Sequence, residues 1–206
     1  MAKFCPLASS SAGNSTYISA CGGSLLVDAG ISCRKIGAAL AQIGASPSEL
    51  GALLLTHEHI DHLRGLRVLL RQNDLPVYAT GAVLRYLVEN GQVEPGATLV
   101  EIEPGTPFEA AGMRVTAFST PHDAADSVGY RIETPDAHTL AVATDLGHVS
   151  ETVRRGTAGC ELVMLESNYD PALLRMGPYP YFLKQRIAAD NGHLENERSA
   201  EFACRL

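Results

Sequence analysis

Three of the chain's seven histidines lie within six residues of one another, together with an aspartate. The segment THEHIDH, residues 56–62, follows an apolar run that is typical of a buried strand. His57 and His59 are two residues apart, so an extended or tightly turned backbone can direct both imidazoles at one metal ion. Asp61 and His62 follow one turn later and can reach a second ion beside it. Imidazole and carboxylate suit Zn²⁺ or Mn²⁺, so the spacing predicts a metal site rather than a surface turn that happens to be rich in histidine.

Three further candidate residues come directly after predicted strands, where sites form in sheets flanked by helices. His122 and Asp145 each follow an apolar run and add potential ligands to the histidine cluster. Asp28 also follows a strand, and an aspartate followed by Ala29-Gly30 often only caps the next helix. We therefore expect His122 and Asp145 to join the cluster. For Asp28 both interpretations, a helix cap and a residue of the site, stay open.

The elements that must position these residues alternate along the chain. Strands are predicted at residues 4–9, 16–20, 24–27, 53–55, 76–79, 98–102, 108–110, 113–119, 128–133, 139–143 and 161–165. Helices are predicted at 32–43, 63–72, 82–89, 150–155, 171–189 with a break at 177–178, and from 195 to the end. No repeat or linker interrupts the pattern, which predicts a single domain over residues 1–206. The last helical pattern reaches Leu206 without a stop signal, so we expect the domain to be shortened at its C-terminus.

Composition excludes some classes of protein. The chain has 206 residues and a net charge of −7, which argues against a basic surface for indiscriminate nucleic-acid binding but allows a local cationic groove. Five cysteines without a C-x-x-C pair indicate free thiols in a reducing compartment. No apolar run is long enough to cross a membrane and no signal peptide is evident, so we expect a cytoplasmic protein. The oligomeric state stays open, with a dimer as one option.

Three arginines follow the histidine motif on one face of the predicted helix 63–72. Arg64, Arg67 and Arg71 occupy positions i, i+3 and i+7 of that helix. Such a stripe is commonly a solvated face. Its position beside the predicted metal site also allows contacts with the phosphates of a substrate.

The order of these motifs resembles the metallo-β-lactamase superfamily, whose fold is a four-layer αββα sandwich of the α+β class. Within it, the segments LASSSAGN (7–14), THEHIDH (56–62), ESNYD (166–170), LRMGPYP (174–180) and Gly192-His193 are similar to those of the YycJ/WalJ group. That group comprises bacterial metallo-hydrolases regarded as 5′→3′ DNA exonucleases and related to ribonuclease Z and the phosphodiesterase PhnP.

The resemblance implies a di-metal site that takes Zn²⁺ or Mn²⁺. His57, His59 and His122 would hold one ion, Asp61 and His62 the other, with Asp145 between them. Asp28 would orient the ligands without touching the ions. Asp61, Glu166 and His193 are the candidate catalytic residues, with His193 held by Glu166 as a proton donor.

The chain departs from the family pattern at three places. Ser10 replaces a glycine of the first loop, and Leu194-Glu195-Asn196 replaces a segment that normally includes a serine. A further histidine, which completes the second metal's ligands in the family, lies beyond Leu206. We therefore expect the second ion to be held weakly unless another residue such as His148 takes that place.

The sequence thus predicts a metal-dependent hydrolase. A phosphodiesterase or exonuclease acting on DNA is the first hypothesis. The alternatives are hydrolysis of a small molecule (a cyclic phosphodiester, a thioester or a lactone) on the same metal site, or a shortened metal-binding domain without catalysis.

Overall fold

The computed structural model describes residues 2–206 of the chain. This part of the chain contains eleven β-strands: β1 Lys3–Ala8, β2 Ser15–Ala20, β3 Gly23–Val27, β4 Ala52–Leu54, β5 Val77–Thr80, β6 Leu99–Ile102, β7 Pro107–Ala110, β8 Met113–Ser119, β9 Val128–Glu133, β10 Thr139–Ala143 and β11 Leu162–Leu165. Its α-helices are α1 Cys33–Gln42, α2 Ile60–Leu63, α3 Leu66–Gln72, α4 Gly81–Glu89, α5 Glu151–Thr157, α6 Pro171–Met176, α7 Tyr181–Ile187 and α8 Asn196–Ala203, with a 3₁₀ turn at Pro47–Glu49. None of these helices is both long and apolar enough to cross a membrane.

The strands form two sheets. The first has the order β1-β2-β3-β4-β5-β6, in which β3 to β6 are parallel and β1 and β2 are added antiparallel. The second has the order β11-β10-β9-β8-β7 and is antiparallel except for the parallel pair β10 and β11. Each of the parallel steps contains a helix or a longer connection, as parallel pairing requires.

Strand β4 shows why both faces of the first sheet are buried. Successive side chains of a strand point to opposite faces. Leu53 and Leu55 belong to the apolar cluster under helices α1, α3 and α4, whereas Ala52 and Leu54 belong to the cluster between the two sheets. All four are fully buried, which explains why the sequence here is continuously apolar rather than alternating.

Helices close the two outer faces. Ile36 of α1 and Leu87 of α4 pack on the outer face of the first sheet. Val153 of α5 and Phe202 of α8 belong to a third cluster on the second sheet. The layers are therefore helix, sheet, sheet, helix, which confirms the predicted α+β four-layer αββα sandwich.

One predicted helix is divided in two. The pattern at 63–72 forms α2, which starts earlier at Ile60, and α3, with Gly65 between them. The Gly65 N–H donates to the Ala29 carbonyl at 2.7 Å, and a side-chain carbon at Gly65 would lie 2.2 Å from the Ile31 carbonyl oxygen. Only glycine permits this close approach, which packs the chain after β4 against the chain after β3.

Tyr130 of β9 links the second sheet to the end of β4. Its side chain is fully buried, and its hydroxyl donates to the Leu55 carbonyl at 2.6 Å. Burial, with the nearby Asp28 carboxylate, raises the pKa of Tyr130 well above its usual value, so the hydroxyl stays a donor. The bond holds the backbone one residue before Thr56.

We expect Tyr130→Phe to lower the free energy of unfolding by about 1–3 kcal/mol, because it leaves a buried carbonyl without this donor. Urea unfolding at a fixed metal concentration measures the change. Tyr86→Phe on α4, where the side chain is partly exposed, is the matched control and should have little effect. Equal stability of Tyr130→Phe and the wild-type protein would contradict the role of this bond.

Candidate metal centre

Three imidazoles face one another at the edge of the sandwich. The His57 Nε2 atom lies 3.1 Å from His59 Nδ1, which lies 3.2 Å from His122 Nε2. Nitrogen ligands about 2.0–2.1 Å from a tetrahedral Zn²⁺ ion lie about 3.3–3.4 Å apart, so the spacing matches a shared ion. The structure therefore brings the two histidines of the loop after β4 together with the one after β8.

A second group adjoins the first. The His62 Nε2 atom lies 3.1 Å from Asp145 Oδ2 and 3.7 Å from Asp61 Oδ2. Donor atoms of His57, His62 and Asp145 lie within 4.8 Å of one another. All six residues predicted as ligands thus converge, and Asp145 lies where it can serve both groups.

Asp28 and Thr56 hold two of the imidazoles from behind. Asp28 Oδ1 accepts from the Thr56 N–H at 2.9 Å, and Asp28 Oδ2 accepts from the Thr56 hydroxyl at 2.9 Å. His62 Nδ1 lies 2.8 Å from Asp28 Oδ2, and His57 Nδ1 lies 3.0 Å from the Thr56 hydroxyl oxygen. In this network each Nδ1–H donates, which leaves each Nε2 as the atom that faces the cluster and can bind an ion once it is unprotonated.

His122 is oriented in the same way by backbone. Its Nδ1 lies 3.0 Å from the Gly192 carbonyl oxygen, which accepts the proton and leaves Nε2 with a lone pair. His57 Nε2 and His122 Nε2 then both face His59 Nδ1 as acceptors, and one proton on His59 can satisfy only one of them. Lone pairs in this arrangement are stabilised by a cation among them. The donor chemistry therefore fits a bound metal ion.

Electrostatics favour neutral imidazoles on one side and a charged carboxylate on the other. Burial, and then the neighbouring His62, hold the pKa of His57 well below its usual value. His62 differs: burial lowers its pKa, but the Asp28 and Asp145 carboxylates outweigh burial and raise the pKa of His62 well above its usual value. Burial likewise opposes ionisation of Asp145, but the hydrogen bond and charge of His62 hold the pKa of Asp145 well below its usual range. A neutral imidazole and an ionised carboxylate are the forms that bind metal.

Glu166 and His193 form a pair beside the cluster. Glu166 Oε1 lies 2.7 Å from His193 Nδ1, and Glu166 Oε2 accepts from the N–H groups of Leu146 and Leu194 at 2.6 and 3.2 Å. His193 Nδ1 is also 3.5 Å from Asp145 Oδ1. Burial opposes the charged imidazolium, but the hydrogen bond to Glu166 outweighs it, so the pKa of His193 is raised.

Two of the three predicted phosphate contacts do not lie at the cluster. Arg67 and Arg71 both donate to Glu94, at 3.1 and 2.9 Å from their Nε atoms. The Glu94 carboxylate pairs with both guanidinium groups on an exposed face, so in the structure this part of the stripe is a solvated ion-pair surface, and its contact with substrate phosphates stays a prediction. Arg64 differs, because it donates at 2.9 Å to the Ala12 carbonyl. Ala12 belongs to the serine-rich loop, residues 9–14, which precedes β2 near the site.

A cation that the sequence did not predict lies beside the cluster. Arg186 of α7 binds Asp123, with Nη2 3.2 Å from Oδ1, and Asp123 Oδ1 lies 3.5 Å from His122 Nε2. Arg186 lies more than sixty residues from the motif at 57–62, so spacing gave no signal for it. His148 Nδ1 bonds to the Asp190 carbonyl at 2.8 Å, and His148 is not among the groups of the described residues whose donor atoms could share an ion.

Asn14 was also missed, because the loop before β2 reads as simple turn chemistry. Its Nδ2 lies 3.0 Å from His62 Nε2, and its N–H donates to the Asp61 carbonyl at 2.8 Å. Gly30 makes this approach possible, since a side-chain carbon there would lie 1.6 Å from the Asp61 carbonyl oxygen. The serine-rich loop is therefore fastened to the site.

A groove of about 970 Å³ runs beside the cluster. Asp61, Asp145 and His193 lie in its wall, the serine-rich loop forms one side, and the segment from Leu165 to Asn196 forms the other. No lysine or arginine is among its lining residues in the described part of the chain. Asp61, Asp145 and His193 are thus accessible to a substrate in the groove.

The match to known proteins fits this geometry. A family described as the β-lactamase superfamily domain matches residues 24–206. The chain belongs to the β-lactamase superfamily.

Within that superfamily the chain is similar to two exonucleases. It is 36% identical over 202 residues to the exodeoxyribonuclease WalJ of Streptococcus pneumoniae (serotype 2, strain D39 / NCTC 7466), a match that covers 97% of this chain and 74% of the relative. It is 37% identical over 200 residues to the exodeoxyribonuclease YycJ of Bacillus anthracis, covering 96% and 74%. The predicted resemblance to the YycJ/WalJ group is confirmed.

A solved structure supports the fold. The metallo-β-lactamase fold protein YhfI from Bacillus subtilis superposes with a TM-score of 0.68 at 19% identity, covering 95% of this chain and 75% of that one. The β-lactamase superfamily fold and the converging imidazole and carboxylate groups together indicate divalent metal binding.

We expect Asp28→Asn to weaken metal binding about 10–100-fold, because His62 loses the carboxylate that orients it. The variant suits the test because Asp28 has a φ of 61°, a left-handed conformation that asparagine also tolerates. Competition with a chelator, followed by elemental analysis, measures the affinity.

Asp126→Asn is the matched control, since Asp126 is an exposed aspartate with a φ of 50° outside the cluster. Its metal affinity should equal that of the wild-type protein. Unchanged affinity in Asp28→Asn, with its fold intact by circular dichroism, would show that Asp28 does not orient a ligand.

Proposed function

We propose that the chain is a metal-dependent exonuclease acting on DNA. The observation that carries the proposal is the cluster of imidazoles and carboxylates in the wall of an open groove, in a chain similar over almost its whole length to two exodeoxyribonucleases. The five cysteines, all free, agree with action in the cytoplasm.

The residues divide into two ligand sets for two divalent ions, Zn²⁺ or Mn²⁺. His57, His59 and His122 would hold one ion, and Asp61 and His62 the other, with Asp145 shared between them. The first set has three imidazoles, whereas the second has one, so we expect the second ion to be held less tightly. Bound ions would supply a water of lowered pKa and positive charge facing the oxygens of the phosphodiester.

The protein's own groups orient the reacting atoms. The Asp61 carboxylate lies in the groove wall and can accept a hydrogen bond from the attacking water, which directs the water's lone pair at phosphorus. Attack forms one P–O bond and breaks another, and the leaving oxygen needs a proton. Arg186, bound to Asp123, and Arg64, bound to the Ala12 carbonyl, lie outside the groove lining and would contact only phosphates that flank the reacting one.

His193 is placed to supply that proton. Its ring lies in the groove wall with Nδ1 held by Glu166 at 2.7 Å, so Nε2 is the atom left to face the leaving oxygen. The raised pKa of His193 favours the protonated form that a general acid needs. Glu166 itself is fixed by two backbone N–H groups and acts by positioning the imidazole.

Hydrolysis of a small substrate on the same residues is the second candidate. One observation favours it: the groove wall contains carboxylates but no lysine or arginine within residues 2–206. The volume of about 970 Å³ lies at the upper end of small-molecule sites, which span about 300–1,000 Å³. The two candidates differ in which substrate is turned over.

We expect the metal-loaded protein to shorten linear DNA from an end and to leave covalently closed circular DNA intact. DNA labelled at the 5′ or 3′ terminus and resolved on a denaturing gel measures the reaction and its polarity. A chelator should stop it, and Asp61→Asn should slow it at least about 100-fold through loss of water orientation.

A cyclic phosphodiester, a thioester and a lactone serve as competing substrates in the same buffer. Turnover of any of these with linear DNA untouched at low salt would move the assignment to the second candidate. Metal-loaded protein that turns over none of the four would support a metal-binding domain without catalysis.

We expect His193→Gln to reduce kcat on DNA by about 10²–10⁴-fold with little change in KM, because the leaving oxygen loses its proton donor. Metal content should not change, since His193 is not a proposed ligand, and elemental analysis tests this. His138→Gln is the control, an exposed histidine outside the cluster. A DNA substrate with a leaving group that needs no proton should restore most of the rate, and failure to do so would argue against proton donation.

A further inference from the structure

The hairpin of α6 and α7, residues 171–187, exposes an unusual number of large apolar side chains. Their exposed fractions are Leu173 67%, Met176 77%, Tyr179 51%, Tyr181 75% and Phe182 71%. Three of the chain's twelve tyrosines and phenylalanines therefore lie exposed within four residues. A contiguous exposed apolar surface of this kind marks a place where something binds.

The same segment is cationic in an acidic protein. Residues 171–189 contain Arg175, Lys184 and Arg186 and no aspartate or glutamate, whereas the whole chain carries a net charge of −7. Aromatic rings interleaved with cations bind single-stranded nucleic acid, because the rings stack on bases and the cations neutralise phosphates.

The exposed rings are continuous with the reacting groups. Tyr179 lies in the wall of the groove that contains Asp61 and His193. Tyr181 lies in an adjacent depression of about 450 Å³ together with Arg175 and Lys184. Tyr169 and Leu174 line both spaces, so they form one path along the hairpin. Asp190 and Glu195 lie at the far side of the depression, where Arg198 Nε is 4.0 Å from Glu195.

We propose that the α6–α7 hairpin is a binding site for single-stranded DNA, on which unpaired bases stack as the strand enters the groove. The inference rests on the proposed function and deepens it, since rings can stack only on bases that are not paired. The substrate end is then single-stranded or frayed where it meets the protein.

A second copy of the chain is the competing occupant of this surface. In a symmetric dimer the same patch faces itself. Arg175 and Lys184 of one copy would then meet the same two cations of the other, whereas Arg186 is already paired with Asp123. Like charges brought together in this way oppose association, whereas a polyanion is complementary.

Fluorescence anisotropy of metal-loaded protein tests the proposal. The probes are a labelled oligothymidylate, an abasic oligonucleotide of the same length and charge, and a blunt duplex, all with terminal phosphorothioate linkages that slow hydrolysis. We expect the oligothymidylate to bind at least about tenfold more tightly than the abasic strand, because stacking adds about 1–3 kcal/mol per base.

Three variants separate rings from charge. Tyr179→Ala combined with Tyr181→Ala and Phe182→Ala should reduce the ratio of oligothymidylate to abasic affinity to near one. Tyr179→Phe combined with Tyr181→Phe keeps the rings and should keep the ratio. Arg175→Gln combined with Lys184→Gln should weaken both strands equally and reduce the salt dependence. Tyr86→Ala on α4 is the control for loss of an exposed ring elsewhere.

Two outcomes would overturn the inference. One is equal binding of the base-containing and abasic strands by wild-type protein. The other is a triple variant that binds DNA as the wild-type protein does. If the triple variant is then a monomer in analytical ultracentrifugation and the wild-type protein a dimer, the surface binds a second copy of the chain. Cleavage is measured separately. Base-dependent binding without cleavage would refute only the proposed function. Cleavage that is unchanged in the triple variant would refute only the DNA-binding role of the hairpin.

Discussion

The site depends on the Asp28 carboxylate, which joins the ends of two neighbouring parallel strands. It accepts from the Thr56 N–H and hydroxyl and lies 2.8 Å from His62 Nδ1, so it fixes the backbone where the histidine motif begins and the direction of an imidazole within it. A charge that is only 2% exposed is tolerated because these donors surround it. Its φ of 61° turns the chain sharply after β3, which is what brings the carboxylate under the loop after β4.

Beyond that carboxylate, the cluster is supported by apolar packing on both faces of the first sheet. Leu53, Leu54 and Leu55 place the loop between two apolar layers, and the Tyr130 hydroxyl fixes the last carbonyl before it. The second sheet contributes His122 and Asp145 from separate strand ends. The ligands thus come from the loop after β4, from α2 and from two strand ends of the second sheet, and each Nδ1–H of His57, His62 and His122 has an acceptor behind it. Such preorganisation gives the metal ions a set of lone pairs that already point inward.

Much of this could be predicted from the sequence because the signals are local. Apolar runs predicted the strands, and a histidine or aspartate directly after a strand predicted which side chains converge. What could not be predicted depends on long-range packing. The division of 63–72 into two helices follows from Gly65 meeting the Ile31 carbonyl, and the loss of Arg67 and Arg71 from the site follows from Glu94, more than twenty residues away. Asn14 and Arg186 reach the cluster from distant segments whose spacing to the motif carries no information.

Charge in this protein is separated by position, which reconciles an acidic chain with a polyanionic substrate. The carboxylates that line the groove, such as Asp61 and Asp145, belong with the metal ions whose charge they offset. Two cations outside the groove, Arg175 and Lys184 of the α6–α7 hairpin, form no ion pair within the described residues, whereas Arg186 pairs with Asp123 and Arg67 and Arg71 pair with Glu94. A DNA strand would therefore be attracted to the hairpin and the metal centre rather than to the surface in general.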